Sequence, residues 1–193
     1  MSTGAPPDTE LLVRAAQADE GAFRLLYERH AKRIFAFILR YVGNHHEAEE
    51  ILQETFLRAY RKAADFEPRA AVSTWLFQIA MNLCRDRARK LPRREAALDG
   101  FREPANRATP FDEATESEAK RIVTEAVEGL PEDEKSVFIL RIYDDRTYDE
   151  IAAIVGCSER TARERMKRGR VRFLEGLKRW DHALSEVLGH GLF

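Results

Sequence analysis

Cysteine is scarce in this sequence, which contains only Cys84 and Cys157, far apart. No C-x-x-C pair and no regularly spaced histidines accompany them, so neither a disulfide framework nor a zinc site is predicted. Both thiols are expected to be buried, small apolar side chains on helices. A phosphate loop and a nucleophile motif are also absent, which disfavours an enzyme, and we expect no cofactor and no metal.

Long apolar runs are missing as well. The longest, about Ile34 to Leu39, falls far short of the roughly 20 residues that a membrane-spanning helix needs. The first eight residues have neither the basic nor the apolar character of a targeting signal. We therefore expect a protein of the cytoplasm.

Net charge is low too, at -1, but the charges are strongly segregated along the 193 residues. Residues 85–94 hold six basic side chains and one aspartate, whereas residues 112–134 hold nine acidic and two basic ones. A polyanionic partner would meet local basic patches and not a uniformly basic protein. The composition, 44% hydrophobic and 34% charged, favours two compact helical domains.

Residues 147–177 have the pattern of a helix-turn-helix. Thr147 and Glu150 form a T-x-x-E capping box at the first helix start. Gly156 can end that helix in the left-handed conformation, and Ser158 can cap the second helix. The predicted core stripe of the second helix consists of Ala162, Met166, Gly169, Phe173 and Leu177.

The opposite side of this second helix is strongly basic. Nine Arg or Lys stand against three Glu between Cys157 and Arg179. Such a helix is suited to enter a DNA major groove and to contact phosphates. The alternative is a solvated charged helix that packs beside its neighbour. Candidate duplex-contacting residues are Arg160, Thr161, Arg163, Glu164, Arg165, Lys167, Arg168 and Arg170.

The N-terminal part has helical periodicity up to residue 61. Asp8, Asp19 and Asn44 are predicted helix caps, and Gly43 is predicted to end the long second helix. His30 falls on an apolar side and is expected to be a core or boundary residue. The third helix is predicted to bury Ala48, Leu52, Thr55, Phe56 and Ala59. Its outer surface mixes charge with an apolar residue, Leu57.

The next helix follows an aromatic loop and ends in a basic cluster. Phe66 and Trp75 flank the loop, and Arg85 to Lys90 form the cluster. Aromatic rings beside phosphate-binding cations are typical of proteins that bind single-stranded nucleic acid. The alternative is that both aromatic residues belong to the core. Residues 92–112 lack periodicity and are predicted to be a flexible linker between domains at 1–91 and 113–180, with a tail at 181–193.

These motifs together resemble the sigma-70 family of bacterial RNA polymerase specificity factors, in its extracytoplasmic-function (ECF) group, over about residues 9–178. Residues 48–56 resemble the stretch that binds the clamp helices of polymerase. Residues 66–86 resemble the segment that recognises and opens the minus-ten element, and residues 130–170 resemble the domain that reads the minus-thirty-five element. The resemblance implies an all-α fold of two small helical domains joined by a flexible linker, the C-terminal one a helix-turn-helix.

The resemblance also implies partners and site residues. The partners are core RNA polymerase, promoter DNA as duplex and as melted non-template strand, and an anti-sigma factor, with a monomer in the holoenzyme. Polymerase binding is expected at Glu50, Gln53, Glu54, Leu57 and Tyr60. Minus-ten DNA is expected at Phe66, Arg69, Ser73, Thr74, Trp75, Asn82, Arg85, Arg87 and Arg89, and minus-thirty-five DNA at the duplex-contacting residues named above. A dimeric helix-turn-helix regulator is the alternative, but it leaves the Gln53 surface and the Trp75 segment without a role.

Three stretches differ from the usual pattern of this family. Residues 70–72 are Ala-Ala-Val where small polar residues and Phe are frequent. Residues 144–146 are Asp-Asp-Arg in place of a turn that commonly includes Gly. Glu164 stands where Ser is frequent, and its carboxylate can accept a hydrogen bond from a cytosine amino group.

Overall fold

The computed structural model describes residues 5–67, 70–95 and 121–189, with side chains described to Arg89 and to Lys178 in the last two ranges. These ranges consist of helices and turns without a strand, as the all-α prediction requires. No helix within them combines the length and the apolar character needed to cross a bilayer.

The first domain is built from α1 (Asp8–Ala16), α2 (Glu20–Val42), α3 (His45–Arg61) and α4 (Val72–Glu95). Two of the predicted caps are confirmed by hydrogen bonds to backbone N–H groups. The Asp19 carboxylate accepts from Ala22 N at 2.9 Å, and the Asn44 amide oxygen accepts from Glu47 N at 3.0 Å. Gly43 ends α2 with φ +71°, a conformation that costs glycine little.

The core of this domain follows the predicted helical stripes. All five residues predicted for the core side of α3 are buried. Phe77 of α4 lies fully buried against Phe37 of α2, with ring centroids 5.5 Å apart. Leu11 and Leu12 of α1 pack into the same core. Helix α3 therefore packs on the core through one side, and its opposite side is exposed.

His30 is a boundary residue, as predicted, and its partner is Asp8. The Asp8 carboxylate lies 2.7 Å from His30 Nε2 and also accepts from Arg29 at 2.8 Å. These contacts attach the first turn of α1 to α2.

Replacement of Asp8 by asparagine is expected to lower the thermal unfolding midpoint at neutral pH and to have little effect in strong acid. Burial raises the pKa of Asp8, but hydrogen bonds from Arg29 and His30 outweigh it, and the pKa lies below its ordinary 3.8. A carboxyl group with a lowered folded-state pKa contributes stability above its ordinary value, which is lost as pH falls through the folded-state value. Thermal melts across this range test the expectation, with Glu10→Gln in the same helix as control. An equal effect of Asp8→Asn at all pH values would contradict it.

The second domain contains α5 (described over residues 121–128), α6 (Glu132–Ile142), α7 (Tyr148–Val155) and α8 (Glu159–Gly189). The capping box at Thr147 is present with both of its reciprocal hydrogen bonds. Gly156 ends α7 with φ +73°, and Ser158 Oγ accepts from Thr161 N at 3.1 Å. The predicted helix-turn-helix is confirmed, with α8 as its second helix.

Two helices are longer than the sequence pattern indicates. Helix α4 continues through Pro92 to Glu95, although a proline lacks the amide hydrogen that a helix interior uses. Helix α8 continues past Trp180 to Gly189, so the predicted tail begins as part of this helix. Resumption of helix at Glu113 falls outside the described residues. The domain boundaries remain a prediction.

The turn at residues 144–146 contains one residue in the left-handed conformation, although it contains no glycine. Asp145 has φ +49°, the left-handed conformation that Asp tolerates better than most residues. An aspartate here performs the conformational role usually assigned to glycine.

The two domains pack against each other, which the sequence did not indicate. Helix α4 lies against α7, and α2 lies against α6. The buried apolar residues of both domains form one continuous cluster.

Candidate polymerase and nucleic-acid interface

The outer surface of α3 carries all five residues predicted to bind polymerase. Gln53 is exposed, and no hydrogen bond from its side chain to another described residue is found. Glu54 is held by Arg58, whose Nε donates to it at 2.6 Å. Leu57 and Tyr60 are 43% and 38% exposed. Polar and apolar groups thus share one accessible helix face, the composition expected of a protein interface.

Tyr27 lies beside this surface and was missed by the sequence reasoning. It is 41% exposed. Its ring packs on Phe56 with centroids 4.7 Å apart, and Tyr60 packs in the same way on Phe23 at 5.0 Å. Two half-exposed tyrosines are therefore anchored by phenylalanines, the buried Phe56 and the partly buried Phe23. Only the packing of α2 on α3 reveals this arrangement.

The aromatic pair predicted at the start of α4 is present. The rings of Phe66 and Trp75 contact each other with centroids 5.1 Å apart and planes tilted by 59°, and both residues are partly buried. Each side chain contributes to the core and keeps part of its surface accessible, so the core interpretation holds in part, and contact with nucleic acid stays a prediction.

Thr74 differs from the prediction of a DNA contact. Its side chain is only 3% exposed, because it lies on the inner side of α4 between the partly exposed Ser73 and Trp75. In this arrangement Thr74 cannot touch DNA. Arg69 lies outside the described residues.

The basic end of α4 is divided between free and paired side chains. Asn82 and Arg89 are exposed. Arg87 donates to Glu50 at 2.8 Å and to Glu47 at 3.3 Å, which connects α4 to α3. Arg85 donates to the carbonyl oxygen of Val155 at 3.1 Å. Of the three arginines predicted to contact DNA at this end of α4, two are thus already hydrogen-bonded to groups of the protein.

The exposed side of α8 is ordered by ion pairs along the helix. Arg160 donates to Glu164 at 3.1 Å, and Arg163 pairs with Glu159 while its guanidinium lies 4.4 Å above the Tyr148 ring. These contacts lie one helical turn apart, the spacing at which helical side chains meet. Lys167 and Arg170 are exposed and make no ion pair with the described residues.

A second group of arginines on α8 is paired with two carboxylates in the first turn of α6. Arg165 lies 3.1 Å from Asp133. Arg168 and Arg172 both donate to Glu134, at 3.0 and 3.1 Å. Glu134 is only 3% exposed, and it lies against Gly169 of α8. The carboxylates therefore cancel part of the positive charge that composition assigns to this helix.

The turn before α7 is held by a carboxylate with two partners. Burial raises the pKa of Glu150, but the Thr147 backbone N–H and the Arg146 guanidinium outweigh it, so its pKa lies below the ordinary value. Glu150 accepts from Thr147 N at 2.9 Å and from Arg146 at 2.7 Å. The capping box is thus extended by a buried arginine that sequence reasoning did not single out.

Comparison with known proteins agrees with this architecture. The sigma-70 region 2 profile matches residues 26–94, and the sigma-70 region 4 profile matches residues 120–173. The ECF RNA polymerase sigma-E factor of Haemophilus influenzae is 33% identical over 84% of this chain and 91% of its own length. The RNA polymerase sigma-H factor of Pseudomonas aeruginosa is 29% identical over 84% of this chain and 90% of its own length.

Solved structures give the same result. CnrH in complex with the cytosolic domain of CnrY aligns with a TM-score of 0.68 at 26% identity, over 89% of this chain and 97% of CnrH. The sigma factor RpoE in complex with the anti-sigma factor NepR from Bartonella quintana aligns with a TM-score of 0.65 at 25% identity, over 81% of this chain and 96% of RpoE.

Two sigma-70 regions on one helical chain, in this order, define a transcription initiation factor. Within that class, the chain belongs to the extracytoplasmic-function group of the sigma-70 family.

Proposed function

We propose that the outer surface of α3 docks this sigma factor on core RNA polymerase. The observation that carries this proposal is the combination, on one accessible helix face, of the exposed Gln53 with the half-exposed Leu57 and Tyr60. Glu50 and Glu54 lie at its edge, where each carboxylate is paired with an arginine, Arg87 and Arg58 respectively.

The second part of the proposal is that the start and the exposed face of α4 open the promoter. Phe66 and Trp75 would receive flipped bases of the non-template strand, and Asn82 and Arg89 would contact the same strand. Separation of roughly ten base-pair steps costs on the order of 14 kcal/mol, whereas each captured base returns about 1 to 3 kcal/mol. A few captures can start an opening but cannot maintain it, so the protein works on DNA together with polymerase.

The third part assigns duplex reading to α8. Arg163, Glu164 and Lys167 are exposed on the side away from the core, where a recognition helix meets base edges. A base-specific contact by Arg168 would cost roughly 1 to 3 kcal/mol when removed. Because Arg168 is already paired with Glu134, that contact would require the guanidinium to serve both groups.

Removal of an unpaired cation from α8 is expected to reduce the salt dependence of holoenzyme binding to duplex DNA. For Lys167→Ala or Arg170→Ala, the slope of log affinity against log salt should fall by about one. Arg172→Ala is the matched control, since that guanidinium already donates to Glu134 and is not among the residues assigned to DNA, and its slope should change less. Equal slopes for all three variants would contradict the division of the basic side chains of α8 into free and paired ones.

An anti-sigma partner and a cytoplasmic site of action complete the proposal. The complex of RpoE with its anti-sigma factor NepR supports the first. We propose no catalytic centre, because the role consists of binding and positioning polymerase and DNA.

Footprinting with and without core polymerase tests this function against a stand-alone regulator. A sigma factor should protect promoter DNA only in the presence of polymerase. A palindromic footprint of the chain alone would favour the dimeric regulator and would overturn the proposal.

A further inference from the structure

A nearly buried carboxylate at the start of α6 holds two arginines of α8. Glu134 is only 3% exposed, and its Oε1 accepts hydrogen bonds from Arg168 Nε at 3.0 Å and from Arg172 Nη1 at 3.1 Å. The other oxygen, Oε2, is buried and accepts no hydrogen bond from the residues that the structure describes. Both arginines approach the same oxygen, so the charge of the buried carboxylate is balanced at Oε1.

The place of Glu134 is set by the two helices that meet there. It lies in the first turn of α6, where the helix dipole favours a negative charge, and it lies against Gly169 of α8. A charged side chain is almost never buried without a partner, and removal of one partner from a buried pair is strongly destabilising. The Arg168 side chain is therefore fixed against this carboxylate before any DNA is bound.

The hydrogen bond to Glu134 leaves the end of the Arg168 guanidinium available. It uses Nε, while Nη2 lies 4.0 Å from Asp133 Oδ2, beyond hydrogen-bond distance. The Arg168 side chain is still 52% exposed. An arginine reads guanine in the major groove through paired hydrogen bonds to O6 and N7, and the two terminal nitrogens suffice for that contact. Arg168 can therefore bind Glu134 and a base at the same time.

Arg168 lies on the side of α8 that carries other residues proposed to contact bases. It lines one shallow groove along the helix with Glu164 and Lys167. Glu164 pairs along the helix, with Arg160. Among these three groove residues, within the described part of the chain, Arg168 is the one hydrogen-bonded to a different helix. Its guanidinium therefore has the least conformational freedom of the three.

We propose that Glu134 is a positioning residue for base reading, which holds the Arg168 guanidinium in the orientation that contacts one base pair of the minus-thirty-five element. The inference rests on the proposed function, which assigns Arg168 to duplex DNA. Glu134 itself is buried and does not touch DNA. It acts on discrimination, because a pre-ordered arginine loses little conformational freedom on contact with the correct base. With a wrong base that contact does not form, and the pre-ordering gives no gain.

Replacement of Glu134 by glutamine is expected to reduce base discrimination at one position. Glutamine keeps the size and an acceptor oxygen but removes the charge, so Arg168 would have to be ordered each time it binds its base. The ratio of affinities for the preferred base pair and the others should fall roughly two- to tenfold, the usual cost of ordering one long side chain. Arg168→Ala removes the contact itself and should lower the same ratio by about 5- to 150-fold.

Selection from a promoter library measures this ratio. Holoenzyme assembled with each variant is bound to fragments of a promoter that the parent transcribes, randomised over the minus-thirty-five element, and the bound and free pools are sequenced. The matched control is Glu175→Gln, because Glu175 is an exposed carboxylate that lines the same groove. That variant makes the same change of charge without removing the partner of Arg168. Its affinity should change equally for all sequences, with base preferences as in the parent.

A double variant tests whether Glu134 acts through Arg168. In the Arg168→Ala background, Glu134→Gln should cause no further loss of discrimination, because contacting residues are not additive. An equal further loss would overturn the proposal. Parent-like discrimination by the single variant Glu134→Gln would also overturn it, once urea unfolding and titration with core polymerase show that this variant is folded.

A second measurement needs no change at position 134. In NMR spectra of the free protein, the Arg168 Nε–H signal is assigned by its loss in Arg168→Lys. It should exchange with water more slowly than the Nε–H of Arg170, an exposed arginine that makes no ion pair with the described residues. Equal exchange rates would overturn the proposal, whether or not Glu134→Gln folds.

The outcome for Arg168→Ala separates this inference from the proposed function. If that variant changes no base preference, the assignment of Arg168 to base reading has failed, and the positioning role of Glu134 fails with it. If Arg168→Ala changes a base preference and Glu134→Gln does not, only the positioning role has failed.

Discussion

Replacement of Arg146 by alanine is expected to destabilise the protein by about 3 to 5 kcal/mol, the usual cost of removing one partner from a buried ion pair. Asp144 and Glu150 would lose the cation that both contact. Asp144 retains only Arg33, whose side chain is half-exposed. The penalty arises because a carboxylate taken out of water without a counter-charge is costly.

Urea unfolding measures this loss. Arg160→Ala is the matched control, because that arginine is 89% exposed in its pair with Glu164, and surface pairs contribute about 0 to 1 kcal/mol. Arg146→Lys keeps the charge but loses the planar fork and should fall between the two. A stability of Arg146→Ala within about 1 kcal/mol of the parent would show that the buried network contributes little.

Replacement of Gln53 and Glu54 by alanine is expected to weaken binding to core polymerase at least about tenfold, because a few central interface residues carry most of the binding energy. Stability should change by no more than about 0.5 kcal/mol, since Gln53 is exposed and the Glu54 pair with Arg58 is partly exposed. Titration of labelled core polymerase gives the affinity, and thermal melts give the stability.

The control for this double variant is Glu10→Ala with Gln17→Ala, which changes the same residue types on and beside α1. It should bind polymerase as the parent does. Parent-like affinity of the Gln53→Ala, Glu54→Ala variant would assign the outer surface of α3 a role other than docking.

Local features of the fold could be predicted from the sequence because they depend on neighbours in the chain. The caps at Asp19, Asn44 and Thr147 need only a side-chain oxygen and a backbone N–H three residues on. The core side of α3 follows from helical spacing, and Gly156 from the need for a left-handed helix end.

Side-chain pairing over long sequence distances could not be predicted in this way. Composition alone made one side of α8 strongly basic, but Asp133 and Glu134, more than 30 residues away in the chain, pair with three of its arginines. Thr74 was expected at DNA because residues 66–86 resemble the segment that recognises the minus-ten element, and only the packing of α4 shows that it is buried.

The packing of the two domains against each other also could not be predicted from sequence patterns. A linker without periodicity indicated two separate units, and it carries no information about whether they touch. Arg146 shows why: its burial depends on Ser73 and Phe77, more than 65 positions earlier in the chain. No local pattern distinguishes such an arginine from a solvated one.

Run-off transcription with purified bacterial core polymerase on a promoter library tests the central claim most directly. The account predicts discrete transcripts that require this chain and fade with the Gln53→Ala, Glu54→Ala variant. Absence of both transcripts and polymerase binding, with duplex DNA binding by the chain alone intact, would contradict it.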